Sequence, residues 1–264
     1  MRTDDLPQAT DEGTGDAVVL LHAFPLDGRM WESTRRALSR RLRVLAPDLR
    51  GFGRSAACTP PESLDAHADD VARLLDARKI ERAALVGLSM GGYAALAFAA
   101  RHGDRLSRLV LADTRANADS PEGRAGRDVN RALVAEQGCA ALVEKMLPAL
   151  VAPGATDAVR ERVRALGGSQ TPDGVRAALA AMRDRADHTA TLRGVRVPTL
   201  VIVGELDALA PPDVARAMVE ALPQGELAVL AGVGHLANLE APAAFDAALE
   251  AFLTRGAREP LTSP

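Results

Sequence analysis

The stretch Ala84-Leu85-Val86-Gly87-Leu88-Ser89-Met90-Gly91-Gly92-Tyr93 is an apolar run that ends in Gly-x-Ser-x-Gly and passes directly into alanine-rich sequence of helical type. Strand, sharp turn and helix is the context in which that pattern carries chemistry. A serine at such a turn is held in a strained backbone conformation that small neighbours such as Gly87 and Gly91 permit. Its hydroxyl is lifted clear of the sheet at the start of a helix. Glycine and serine also populate ordinary loops, so on this stretch alone a plain strand-to-helix connection stays open.

Two downstream stretches narrow the reading. Pro198-Thr199-Leu200-Val201-Ile202-Val203-Gly204 reads as a buried strand, and Glu205-Leu206-Asp207 follows it at once. After the next apolar run, 226–230, comes Ala231-Gly232-Val233-Gly234-His235, a glycine-rich loop carrying a histidine. Serine, aspartate and histidine therefore occur in that chain order, each at the carboxyl end of an expected strand.

Working outward, apolar runs at 17–21, 43–47, 83–87, 106–112, 199–204 and 226–230 read as strands. Between them, 30–39, 64–77, 90–101, 213–221 and 242–253 carry helical patterns. Alternation of this kind predicts an α/β fold, a mostly parallel sheet with helices on both faces. The stretch from 114 to 193 interrupts the rhythm with helical patterns at 128–136, 140–147, 157–166 and 174–185, broken by Pro148, Pro153-Gly154, Gly167-Gly168 and Pro172.

Taken together, these motifs resemble those of α/β-hydrolases. His22-Ala23-Phe24-Pro25, after the run 17–21, is similar to the family's oxyanion loop, and Pro47-Asp48-Leu49-Arg50-Gly51-Phe52-Gly53-Arg54-Ser55 resembles its turn before the elbow strand. The resemblance spans about 17–252; within the family the pattern is similar to small esterases, lactonases of the 3-oxoadipate enol-lactone hydrolase type and cofactor-free perhydrolases. It implies a sheet of about seven to eight strands; the chain departs from the family pattern at its start, where the short, polar segment before Ala17 leaves the family's first antiparallel strands shortened or partly missing. It also implies a core formed by 1–113 and 194–264 and a helical cap formed by 114–193.

In that scheme Ser89 is the nucleophile, His235 the general base and Asp207 the residue that orients it, with the backbone N–H groups of Phe24 and Met90 as the oxyanion hole. Asp113 also follows an expected strand and stands as the second candidate for the acid; Asp207 is preferred because its loop follows the family pattern more fully. An elbow serine sets the chain apart from family members with an aspartate nucleophile, and no cap tyrosine is present for epoxide opening, since Tyr93 is the one tyrosine. Ester, lactone or thioester cleavage through an acyl-enzyme is the expected activity. A cofactor-free perhydrolase and a slow or non-catalytic small-molecule receptor on the same fold remain as alternatives.

Composition agrees with one globular enzyme: 264 residues, 47% hydrophobic and 25% charged. A formal net charge of -3, from 32 basic against 35 acidic residues without long single-sign blocks, argues against nucleic acid as a partner, and the arginines read as solvated surface. Only Cys58 and Cys139 are present, too few for a disulfide framework, and 1–15 lacks the apolar core of a signal peptide. A cytoplasmic chain with free thiols is expected. No apolar run reaches the roughly 18 residues of a membrane span. Zinc-ligand spacing and a dinucleotide fingerprint are both missing, so no metal and no cofactor is implied.

The remaining candidates carry mixed readings. His22 is expected to hold the oxyanion loop, His67 and His102 to be explained by packing or solvent, and His188 to sit at the surface. Trp31 either lines the pocket or packs the first helix. Since 114–192 holds no Phe, Trp or Tyr, any apolar wall from the cap must come from residues such as Leu142, Met146, Leu147 and Met182, each of which can equally pack the cap onto the core. The sequence leaves the oligomeric state open.

Overall fold

Short runs of Val, Leu, Ile and Ala with few polar breaks can only be satisfied when both faces of a strand are covered, as in a parallel sheet between helix layers. The computed structural model, which describes residues 6–255, has that arrangement. Its strands are β1 (Ala9–Glu12), β2 (Ala17–Leu21), β3 (Arg43–Pro47), β4 (Ala83–Leu88), β5 (Leu106–Ala112), β6 (Thr199–Gly204) and β7 (Gly225–Leu230). They form one seven-stranded sheet in the order β1-β3-β2-β4-β5-β6-β7, parallel throughout except for the antiparallel pair of β1 and β3. β4 and β6 are buried along their whole length, whereas the outer strands β1 and β7 are mostly half-exposed or exposed.

The helices are α1 (Glu32–Leu38), α2 (Leu64–Ala77), α3 (Met90–His102), α4 (Pro121–Leu150), α5 (Asp157–Gly168), α6 (Pro172–Arg183), α7 (Thr189–Gly194), α8 (Pro212–Ala221), α9 (Ala237–Glu240) and α10 (Pro242–Leu253). Period-two alternation divides the sheet's side chains between two cores. Val19, Leu21, Leu85, Leu111 and Val201 face the layer containing α2, α3 and α8. Val18, Leu20, Val86, Val110 and Ile202 face the layer containing α1 and α10, where Phe245, Leu249 and Phe252 pack.

β2 has β3 on one side and β4 on the other, so the direction of winding reverses there and the carboxyl ends of β2 and β4 flank a crevice. This reversal places Phe24 and Ser89 beside one another. Between β5 and β6 run α4–α7, and the cap helices expected separately at 128–136 and 140–147 are one long element that already begins at Pro121. Gly138, with φ 80 and ψ 178, breaks it between those two patterns. Ser120, Thr156 and Thr171 cap α4, α5 and α6 by accepting a first-turn N–H through the side chain. Among the described residues no helix is long and apolar enough to cross a membrane.

Candidate active site

The turn after β4 has little freedom. Ser89 sits at φ 55 and ψ -113, a region that an L-residue occupies only when its surroundings hold it there. A Cβ on Gly91 would overlap the carbonyl of Leu21 in β2, and one on Gly87 would overlap the carbonyl of Gly91. Only glycine lets α3 start this close to β2. From the other side the Ser89 N–H donates to the Ala112 carbonyl at 2.9 Å, and the Thr114 hydroxyl donates to the Ser89 carbonyl at 2.8 Å.

The end of β6 and the loop after β7 bring two more groups to this serine. His235 Nε2 lies 2.8 Å from Ser89 Oγ, and His235 Nδ1 lies 2.9 Å from both carboxylate oxygens of Asp207. Asp207 Oδ1 also accepts the N–H groups of Leu209 and Ala210 at 2.8 and 2.9 Å. Burial pushes the Asp207 pKa up, but the hydrogen bond and charge of His235, with those two N–H groups, outweigh it and leave the carboxyl below its ordinary range. An ionised Asp207 keeps the Nδ1 proton facing it, which leaves Nε2 free to accept from the Ser89 hydroxyl. Glu240 in α9 secures the histidine loop by accepting from Gly234 and Ala152.

Ser89 and His235 open onto a cavity of about 370 Å³ whose wall also includes Phe24, Tyr93, Met146, Met182 and Leu209. The Met90 N–H belongs to the first turn of α3, where a helix offers no internal acceptor.

A model of the alpha/beta hydrolase family matches residues 18–248. The chain belongs to that family. A thermophilic esterase from Thermogutta terrifontis superposes with a TM-score of 0.91 at 40% identity, covering 94% of this chain and 93% of that one. The enol-lactonase of Burkholderia xenovorans LB400 superposes at 0.85 with 31% identity, over 94% and 96%. A relative from Caulobacter sp. (strain K31), whose name assigns it provisionally to carbamate hydrolysis, is 35% identical over 244 residues, 90% of each protein. These relatives support an alpha/beta hydrolase that is an enzyme, with hydrolytic activity on small-molecule substrates.

In this hydrolase Asp113, the alternative acid, is not hydrogen-bonded to His235, whose Nδ1 faces Asp207 instead. It is buried at φ 45 at the end of β5, where Oδ1 accepts the Gly204 N–H at 2.8 Å and Oδ2 has no partner. Burial first, and then the nearby charge of Asp207, hold its pKa well above the ordinary 3.8. The folded chain thus keeps a proton that the unfolded chain gives up above about 3.8, so this group destabilises the fold increasingly as pH rises from there toward its folded pKa. Asp113→Asn removes that dependence. The difference in unfolding free energy between wild type and variant, from urea melts at each pH, is expected to move in the variant's favour from pH 4 upward, with a limiting slope of about 1.4 kcal/mol per pH unit; a difference that stays flat between pH 4 and 8 contradicts it.

His22 accepts the Leu49 N–H at 3.0 Å and sits beside the Ala23 carbonyl, tying the loop after β2 to the loop after β3. His67 is fully buried in α2, and burial pushes its pKa down to about 3; His102 lies 2.7 Å from Asp69. His188, expected at the surface, is instead buried, with its N–H on the Ala116 carbonyl, because the turn into α7 folds back against β5's exit loop. Trp31 does not line the cavity but packs 5.9 Å from Phe245. Of the four apolar residues of the insertion, Met146 and Met182 reach the cavity, whereas Leu142 and Leu147 are buried in the cores. The reading of the arginines as solvated surface needs correcting, since Arg115 and Arg127, together with Lys145, line the cavity.

Proposed function

We propose that this chain is a serine hydrolase that cleaves a small ester or lactone through an acyl-enzyme, with α4–α7 acting as the cap. The observation that carries this reading is the hydrogen-bonded chain Asp207–His235–Ser89, whose open end is the cavity. Ser89 Oγ attacks the carbonyl carbon while His235 Nε2 takes the hydroxyl proton, and Asp207 stabilises the imidazolium. The N–H groups of Phe24 and Met90 bind the oxyanion. Collapse breaks the acyl C–O bond, and His235 returns the proton to the leaving oxygen. Water then attacks the acyl-enzyme, gives its proton to His235, and Ser89 leaves with that proton as the free acid is released.

The test is acid release, followed by pH-stat, from a panel of short esters, thioesters, carbamates and lactones, with products also analysed in the presence of hydrogen peroxide. Wild type is expected to turn over esters or lactones, and Asp207→Asn to lose on the order of 10⁴-fold in kcat because the imidazole is no longer held in the working tautomer. Asp113→Asn keeps its activity, since it makes no hydrogen bond to His235. No release from any member speaks for a binding protein, peracid in place of acid for a perhydrolase, and full activity in Asp207→Asn overturns the assignment of the acid.

A further inference from the structure

The cavity over Ser89 carries a charge that the composition of the chain conceals. Although the chain has a formal net charge of -3, the cavity wall holds Arg115, Arg127 and Lys145 against the single carboxylate of Asp119. That carboxylate is already committed twice: Asp119 accepts from Arg127 Nε at 3.0 Å and pairs with Arg185 Nη1 at 2.6 Å. Burial pushes the Asp119 pKa up, yet the two guanidinium groups outweigh it and keep the carboxyl below its ordinary range. Arg185, itself buried, lies 4.2 Å over the ring of Tyr93, another residue of the cavity wall.

Arg115 and Lys145 differ from Arg124, Arg131 and Arg183 on the insertion. Arg124 pairs with Asp184, and Arg131 and Arg183 pair with Asp128 on the outer surface. Arg115 donates only to the Leu209 carbonyl and Lys145 only to Asn130 Oδ1 at 2.8 Å, so among the described residues neither forms an ion pair. Two cations with neutral partners, beside a third that shares its carboxylate, make a concave wall that concentrates anions. The wall stands in the same cavity as the reactive hydroxyl.

We propose that the preferred substrate carries a carboxylate at the end remote from the scissile bond, as in a half-ester of a dicarboxylic acid or a lactone bearing a free carboxylate, and that Arg115 and Lys145 bind it. Which bond is cleaved rests on the hydrolase reading above; the anion preference itself does not. A guanidinium and an ammonium offer charge-assisted donors to a carboxylate and nothing comparable to an amide of the same shape. They act as specificity determinants, holding the inert end while the ester carbonyl meets Ser89.

Monomethyl esters of the straight-chain dicarboxylic acids from succinate to suberate, each against the methyl ester whose other end is a carboxamide, supply the test. For at least one chain length, wild type is expected to favour the carboxylate by on the order of 10- to 100-fold in kcat/KM, and the preference shrinks in salt of about 0.5 M. Lys145→Gln and Arg115→Gln each collapse that ratio, whereas Arg216→Gln, on the exposed face of α8, leaves it intact. Lys145 is exposed on α4, so its variant reports even where Arg115→Gln fails to fold. Separately, glutarate and adipate are titrated calorimetrically into Ser89→Ala against their diamides. Selective binding that disappears with Lys145→Gln upholds the anion site even if no ester is cleaved, an outcome that would defeat only the hydrolase reading. Ratios near one at every length together with no selective binding, or a preference that survives both substitutions, overturns the proposal.

Discussion

Ser89→Ala is expected to lower ester or lactone turnover by on the order of 10⁴- to 10⁶-fold while the protein still folds. The loss is large because, among the described residues, the hydroxyl is the one group of the cavity wall hydrogen-bonded to His235 Nε2, so no neighbour takes over the attack. Folding survives because the residues that fix the turn do so without the side chain: the Ser89 N–H and carbonyl keep their bonds to Ala112 and Thr114. His235→Ala should lose a similar factor. The double variant should be no worse than either single one, since a nucleophile without its base and a base without its nucleophile are equally idle. Acid release alongside a thermal melt measures both parts. Losses that multiply in the double variant, or activity near wild type in Ser89→Ala, would mean that the two residues do not act as a unit.

Gly91→Ala is expected to have the largest effect on stability, on the order of 3 kcal/mol or more, because the overlapping atom is a backbone carbonyl in the middle of the core. The methyl group would collide with the Leu21 carbonyl and approach that of His22, and neither can swing aside as a long side chain could. Relief requires α3 to move away from β2. Such a movement also shifts the Met90 N–H relative to Phe24, so any protein that still folds should lose kcat as well. A urea melt compared with wild type reads the first effect, and acid release the second; an unchanged midpoint would show that the contact between α3 and β2 is looser than described.

The layered sheet is legible because β2, β4 and β6 are covered on both faces and read as apolar runs, and β3 and β5 are polar only near their amino ends, with turn residues between them. β1 is not, since Ala-Thr-Asp-Glu is polar and is held as a strand only by its antiparallel pairing with β3 at the sheet edge. The three residues joined by hydrogen bonds are legible from the Gly-x-Ser-x-Gly turn, from their chain order and from strand ends, with the family resemblance deciding for Asp207 over Asp113. The charge of the cavity left no such trace. Arg115, Arg127 and Lys145 are three among 32 basic residues, and only the folding of α4 over the carboxyl end of β5 distinguishes them from the arginines of the outer surface. The burial of His188 has no local signal for the same reason: nothing near it in the sequence indicates that the Ala116 carbonyl accepts its backbone N–H.

The most direct measurement of the assigned chemistry is covalent labelling with an activated phosphonate ester, read by intact mass and peptide mapping. An activated serine attacks phosphorus, expels the leaving group and retains the phosphonyl group, so the expected result is one adduct per chain, located on Ser89 and absent from His235→Ala. No adduct on the wild-type chain, or an adduct on a different residue, would contradict the nucleophile assigned to Ser89.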